Sequence, residues 1–188
     1  MLRRLSFAAL ISIIVVLPAT AASAAENPPP TTSATYAGDT IDLGDGNWDG
    51  ARACAVVDDE TACFDSEAAM NAWVGAAGTP APSTGTGRFA GKAAVGAMAL
   101  TCASSLRLYE HGSFGGRILY LSTRGRWFNL SSYSFNNLTS SFRVGACTSY
   151  LADSTNGGGS WYPGSSAYAS VGVMPGSWND RISSAYLV

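Results

Sequence analysis

Two hexapeptides of one type carry clusters of oxygen donors: Asn136-Asn137-Leu138-Thr139-Ser140-Ser141 and, 43 residues later, Asn179-Asp180-Arg181-Ile182-Ser183-Ser184. Amide, carboxylate and hydroxyl oxygens at this density suit a hard cation, which takes oxygen ligands. The same residues also suit turns, because Asn and Asp tolerate left-handed backbone and Ser hydroxyls bond the nearby main chain. Upstream of the first hexapeptide, Gly115-Gly116 recurs as Gly157-Gly158 at an offset of 42. A doubled unit with so small a length change is one supersecondary motif used twice.

Other candidate chemistry is sparser. Asp45-Gly46-Asn47-Trp48-Asp49-Gly50 has the opening pattern of an EF-hand calcium loop, but Val56 occupies the twelfth position, where a bidentate Glu belongs. An acidic, glycine-rich turn with Trp48 packed on its neighbours is the favoured reading. The only histidine, His111, has no nearby cysteine nucleophile or catalytic Asp pattern. Between residues 101 and 188 the only carboxylates are Glu110, Asp153 and Asp180. No catalytic residues are assigned, and the chain is expected not to be an enzyme. Four cysteines in an exported protein form two disulfides, for which three connectivities exist. We take Cys54–Cys63, closing a short hairpin, and Cys102–Cys147, tying the start of the first repeat to the junction with the second.

The elements that must position these residues follow from composition. Residues 1–25 read as a secretory signal peptide: Arg3-Arg4, an apolar run from Leu5 to Leu17 and small residues up to Ala25. Residues 26–44, with Pro28-Pro29-Pro30 and a Thr, Ser and Ala run, read as a flexible leader. Residues 45–75 read as a hairpin (Ala53-Cys54-Ala55-Val56-Val57, an acidic turn, Thr61-Ala62-Cys63-Phe64) followed by a helix that Ser66 caps and that ends near Gly75. So small a unit must dock on something larger. Residues 76–100 read as a linker. Charge divides with it: residues 26–75 hold ten acids against Arg52 alone, whereas residues 101–188 hold six arginines against three acids. That basic excess is too small and scattered for nucleic acid.

From Leu106 onward, short strands rich in aromatic and branched residues alternate with Gly, Ser and Asn clusters, as in an all-β sandwich. Tyr109, Phe114 and Gly116, followed by Asn136-Asn137-x-x-Ser140-Ser141, resemble the aromatic-glycine and clamp motifs of the βγ-crystallin superfamily. Crystallin-fold bacterial secreted metallopeptidase inhibitors are similar too, particularly in Leu108-Tyr109-Glu110-His111 and Phe114-x-Gly116-Arg117. The resemblance implies an all-β fold of two Greek-key repeats, about 105–146 and 147–188, within a domain spanning 101–188. It also implies a calcium shell in which each clamp offers the carbonyl of its third residue and the hydroxyl of its fifth: Leu138 and Ser140, Arg181 and Ser183. Further carbonyls would come from Glu110 and, at the 42-residue offset, Ala152, with Asn137 or Asp180 close to each ion. On that offset Leu151 stands for Tyr109 and Asn156 for Phe114, so the second hairpin is the looser one.

Two functions fit the resemblance. One is a secreted, extracellular calcium-binding structural module, of weak affinity because Asp180 is the only carboxylate in the clamps. The other is an inhibitor whose partner is an extracellular metallopeptidase. Neither involves nucleic acid, or a membrane once the signal peptide is removed, and both are read as monomers.

Overall fold

The computed structural model describes residues 32–58, 60–77 and 105–188. The expected signal peptide, most of the 76–100 linker and Cys102 lie outside them. Eleven strands are formed among the described residues. They are β1 (Ser33–Tyr36), β2 (Asp39–Asp42), β3 (Ala53–Val57), β4 (Glu60–Phe64), β5 (Leu106–His111), β6 (Gly115–Leu121), β7 (Trp127–Asn129), β8 (Ser141–Val144), β9 (Ser149–Ala152), β10 (Ser170–Val171) and β11 (Ser184–Leu187). Among the described residues the α-helix α1 spans Glu67–Ala77.

The two Greek-key repeats are present and exchange strands. The sheet order β10-β8-β5-β6 holds three strands of the first repeat and the third strand of the second, while β7, the third strand of the first repeat, pairs with β11 in the sheet β7-β11-β9. Residues 160–165 run beside β9, through the Asp153 amide to the Ser160 carbonyl at 3.1 Å and the Ser149 amide to the Ser165 carbonyl at 3.0 Å. The inner faces close over Leu106, Leu108, Phe142, Phe128, Leu151 and Leu187. In β5, Leu106 and Leu108 alternate with the half-buried Arg107, so this pair faces the core from one side of the strand.

The expected disulfide-closed hairpin and helix are present, but the N-terminal region departs from the expected flexible leader and merely docked unit. Residues 33–42, read as flexible, form a hairpin whose Ala37-Gly38 turn has φ of 52° and 95°, both positive, as a type I′ turn demands. A Thr- and Ser-rich strand survives here because only Ala34 and Ile41 need reach the core. The 45–75 unit does more than dock: it joins the sheet of the first repeat. Its strand β3 pairs in parallel with β6, Ala53 to Ile118 through Val56 to Leu121, so one eight-stranded sheet runs β10-β8-β5-β6-β3-β4-β1-β2.

Strand β3 is buried on both faces. Cys54 and Val56 join Leu119 and Leu121 in the main core, whereas Ala53 and Ala55 lie with Tyr109, Ile118 and Tyr120 beneath Met70 of α1. The alanines leave room for the helix, which covers the sheet face that the first repeat would otherwise turn to solvent. Glu67 in its first turn accepts a hydrogen bond from the Tyr109 hydroxyl at 3.2 Å and lies 3.5 Å from Arg107. The helix continues two residues past Gly75. The Cys54–Cys63 disulfide bridges the directly paired residues of β3 and β4, and Cys147 is disulfide-bonded as well.

The acidic turn is an anchor. Trp48 is 2% exposed, stacks on Phe135 at 5.7 Å, lies beneath the Arg117 guanidinium and donates from Nε1 to the Tyr133 carbonyl at 2.9 Å. Asn47 and Asp49 bond each other twice, at 2.9 Å each. With Val56 buried in β3, the donors of the EF-hand pattern do not converge.

Candidate functional site

The clamps sit at the loops that lead into β8 and β11, side by side across the pseudo-dyad. Their backbones bond reciprocally: the Asn137 amide donates to the Ile182 carbonyl at 2.9 Å, and the Asp180 amide to the Thr139 carbonyl at 3.1 Å. Asn137 and Asp180 occupy the left-handed region, at φ of 56° and 54°. Only a few L-residues take that conformation readily, Asn and Asp foremost.

The side chains then cross over. Ser140 Oγ donates to Asp180 Oδ1 at 2.9 Å, and Ser183 Oγ donates to Asn137 Oδ1 at 3.1 Å. The fifth residue of each clamp therefore meets the second residue of the other. Both serines are nearly buried, at 8% and 7% exposure, while Asn137 and Asp180 reach solvent. The final serine of each clamp does a different job. Ser141 Oγ donates to the His111 carbonyl at 2.6 Å and accepts from the Phe114 amide, and Ser184 Oγ donates to the Ser154 carbonyl at 2.6 Å and accepts from the Gly157 amide. These hydroxyls pin the folded hairpins.

That second set corrects the register of the repeat. Ser141 to Ser184, His111 to Ser154 and Phe114 to Gly157 are all separated by 43, the clamp offset. Gly116 and Gly159 share φ near 75° (76° and 71°), as Ser113 and Asn156 share 58° and 52°. The position equivalent to Glu110 is therefore Asp153 and not Ala152, which pairs with Ser184 as Tyr109 pairs with Ser141. Likewise Ala152, not Leu151, stands for Tyr109, and Gly157, not Asn156, stands for Phe114. Three consecutive glycines, 157 to 159, allow either alignment in sequence, and the hydrogen bonds, strand pairing and backbone angles separate them.

Glu110 and Asp153 use their side chains alike. Glu110 Oε2 accepts from the Arg117 amide at 3.1 Å, and Asp153 Oδ1 accepts from the Ser160 amide at 2.8 Å. Burial alone would raise the Glu110 pKa, but hydrogen bonds from the Arg117 side chain and amide, with its charge, hold it below the ordinary value. Arg181 pairs with Asp153 at 3.0 Å, which places a cation beside the second clamp. The Tyr109 hydroxyl is raised above its ordinary value by burial and then by the Glu67 charge. Tyr109 meets Phe114 edge-on at 5.3 Å, and Arg143 lies 3.8 Å over the Phe114 ring.

Among the described residues, no three His, Cys, Asp or Glu side chains converge. A clamp of hydroxyls, carbonyls and one carboxylate has a different donor set. The crossed pairs are hydrogen-bonded at 2.9 and 3.1 Å, and with the neighbouring carbonyls they make an oxygen-only donor set of the kind hard cations take. The residues present therefore fit a hard cation.

No protein-family model and no curated protein matches the chain. Solved structures similar to it include a βγ-crystallin from Ciona intestinalis, 27% identical, covering 45% of this chain and 99% of that one at a TM-score of 0.38. A βγ-crystallin domain from Flavobacterium johnsoniae is 21% identical over 44% of this chain and 92% of its own, at a TM-score of 0.36. A βγ-crystallin from an archaeon is 23% identical over 46% and 99%, also at 0.36.

Proposed function

We propose that this chain is a secreted, non-enzymatic module of the βγ-crystallin type that binds calcium weakly at its two clamps. One site would use the carbonyls of Glu110 and Leu138, Ser140 Oγ and the Asp180 carboxylate. The other would use the carbonyls of Asp153 and Arg181, Ser183 Oγ and the Asn137 amide oxygen. When bound, the ion supplies charge to hold these oxygens together and so links the two repeats. The chain's part is to bring the donors into reach beforehand. The reciprocal crossing of Ser140 to Asp180 and Ser183 to Asn137 is the observation that carries this reading.

The donor chemistry also ranks the sites. The first holds a carboxylate, whereas the second holds a neutral amide beside the Arg181 guanidinium, so the first is the tighter. With a single formal charge, its affinity belongs in the range of about 10⁻⁴ M or weaker. At about 10 mM calcium, a site of that strength stabilises the fold by about 2.7 kcal/mol, or roughly 5–10 °C for a chain of this size. Thermal unfolding with and without calcium, with magnesium as control, tests it. Ser140→Arg and Ser183→Arg are each expected to reduce the shift, and an unshifted wild type would sink the reading.

A further inference from the structure

The three-stranded sheet turns Phe128, Leu151, Ala185 and Leu187 to the core. Its other face is aromatic. Tyr186 is registered opposite both Trp127 and Tyr150, with ring centroids 5.4 and 6.2 Å away. Trp161, bridged to Ala152 on the neighbouring segment, closes the group at 5.6 Å from Trp127 and 5.1 Å from Tyr150. Its indole is held by a 2.7 Å bond from Nε1 to the Gly157 carbonyl. The second repeat's missing aromatics make this possible, because a Cβ at Gly157 would stand 2.2 Å from Trp127 Cζ2. Trp161 remains 50% exposed and Tyr150 37%.

Beside these two rings is a cleft of about 330 Å³, at the small end for ligand sites. Tyr150, Trp161, Tyr162 and Pro163 line it together with four Ser or Thr residues, and no Asp, Glu, Lys, Arg or His does. Ser149 is fully buried on the core side of β9 with Leu151, so the hydroxyls open to an occupant are those of Thr148 and Ser166.

Those features select an occupant. The absence of charge in the lining fits a neutral ligand and disfavours single-stranded nucleic acid, which needs a basic groove besides stacking rings. A peptide strand is disfavoured because the edge of β9 is already paired, the Tyr162 amide donating to the Leu151 carbonyl at 2.8 Å. The remaining chemistry is flat, weakly polarised C–H faces to lie on rings, with hydroxyls at their edges to meet Ser and Thr. We propose that this face binds a neutral polysaccharide, with pyranose rings stacked on Tyr150 and Trp161 and sugar hydroxyls bonded to Thr148 and Ser166 at the mouth of the cleft. The proposal is independent of calcium.

The test is retention of the full chain on amorphous cellulose, chitin and an insoluble β-1,3-glucan, with Trp161→Ala, Trp161→Phe, Tyr150→Ala and, as control, the exposed Tyr168→Ala. Far-UV circular dichroism checks that each variant is folded. The wild type is expected to bind at least one polymer, and to do so equally at about 1 M salt, where charge attraction is screened within about 3 Å. Trp161→Ala and Tyr150→Ala should each lose at least about tenfold in affinity, as for aromatic anchors at other interfaces, while Trp161→Phe and Tyr168→Ala keep most of it. Failure of the wild type on all three polymers, loss of binding in salt, or undiminished binding by Trp161→Ala would overturn the proposal. So would wild-type self-association that Tyr150→Ala abolishes without polymer binding, which would make the face an interface between copies.

Discussion

Trp48→Ala should destabilise the Greek-key region together with the N-terminal strands, although Trp48 lies in a turn outside both repeats. The indole is 2% exposed, packed on Phe135 between the two parts, with Arg117 over its face. Truncating a buried Trp costs about 3–5 kcal/mol. Removing Nε1 also leaves the buried Tyr133 carbonyl without this donor, a further cost of about 1 kcal/mol or more. Against a typical domain stability of about 5–15 kcal/mol, the sum takes a large share. Urea unfolding followed by both tryptophan fluorescence and far-UV circular dichroism should show one coincident transition for the wild type, moved strongly to lower urea in the variant. A loss under about 1 kcal/mol would refute Trp48 as an anchor, and two separate wild-type transitions would refute the continuous sheet through β3 and β6.

Three variants probe other parts of the account. Glu110 is held below its ordinary value of 4.5, so the stability it contributes is present above that value and is lost as pH falls through its lower folded value. Arg117→Ala should flatten this acid loss in a series of urea midpoints against pH. Gly157→Ala forces a methyl to within 2.2 Å of Trp127 at φ of 74° and should cost about 2–4 kcal/mol in thermal unfolding. Gly38→Ala, at φ of 95° with open space around it, should cost only about 1 kcal/mol in the same assay.

The repeats were legible because each was written with its own punctuation: paired glycines, a clamp and alternating apolar strands. The 42-residue hairpin offset misled because Gly157-Gly158-Gly159 fits two alignments, and the choice between them decides whether Ala152 or Asp153 takes the place of Glu110. Composition also misled at the N-terminus. The acidic charge of residues 26–75 suggested a segment of different character from the repeats, yet charge describes exposed positions and says little about which strands pair. The usable signal was Ala53-Cys54-Ala55-Val56-Val57, a run with no polar alternation, as expected of a parallel strand covered on both faces. The Tyr150, Trp161 and Tyr186 cluster was not readable, since strand exchange between repeats brings Trp127 to it from the other half of the pair.

The most direct measurement is a calorimetric calcium titration of the wild type alongside Asp180→Asn and the Ser140→Arg, Ser183→Arg double variant. The account predicts two ions per wild-type chain, the tighter one weakened by Asp180→Asn, and no saturable binding in the double variant. Absence of saturable wild-type binding up to about 10 mM calcium, or unchanged binding in the double variant, would contradict the clamps as calcium sites.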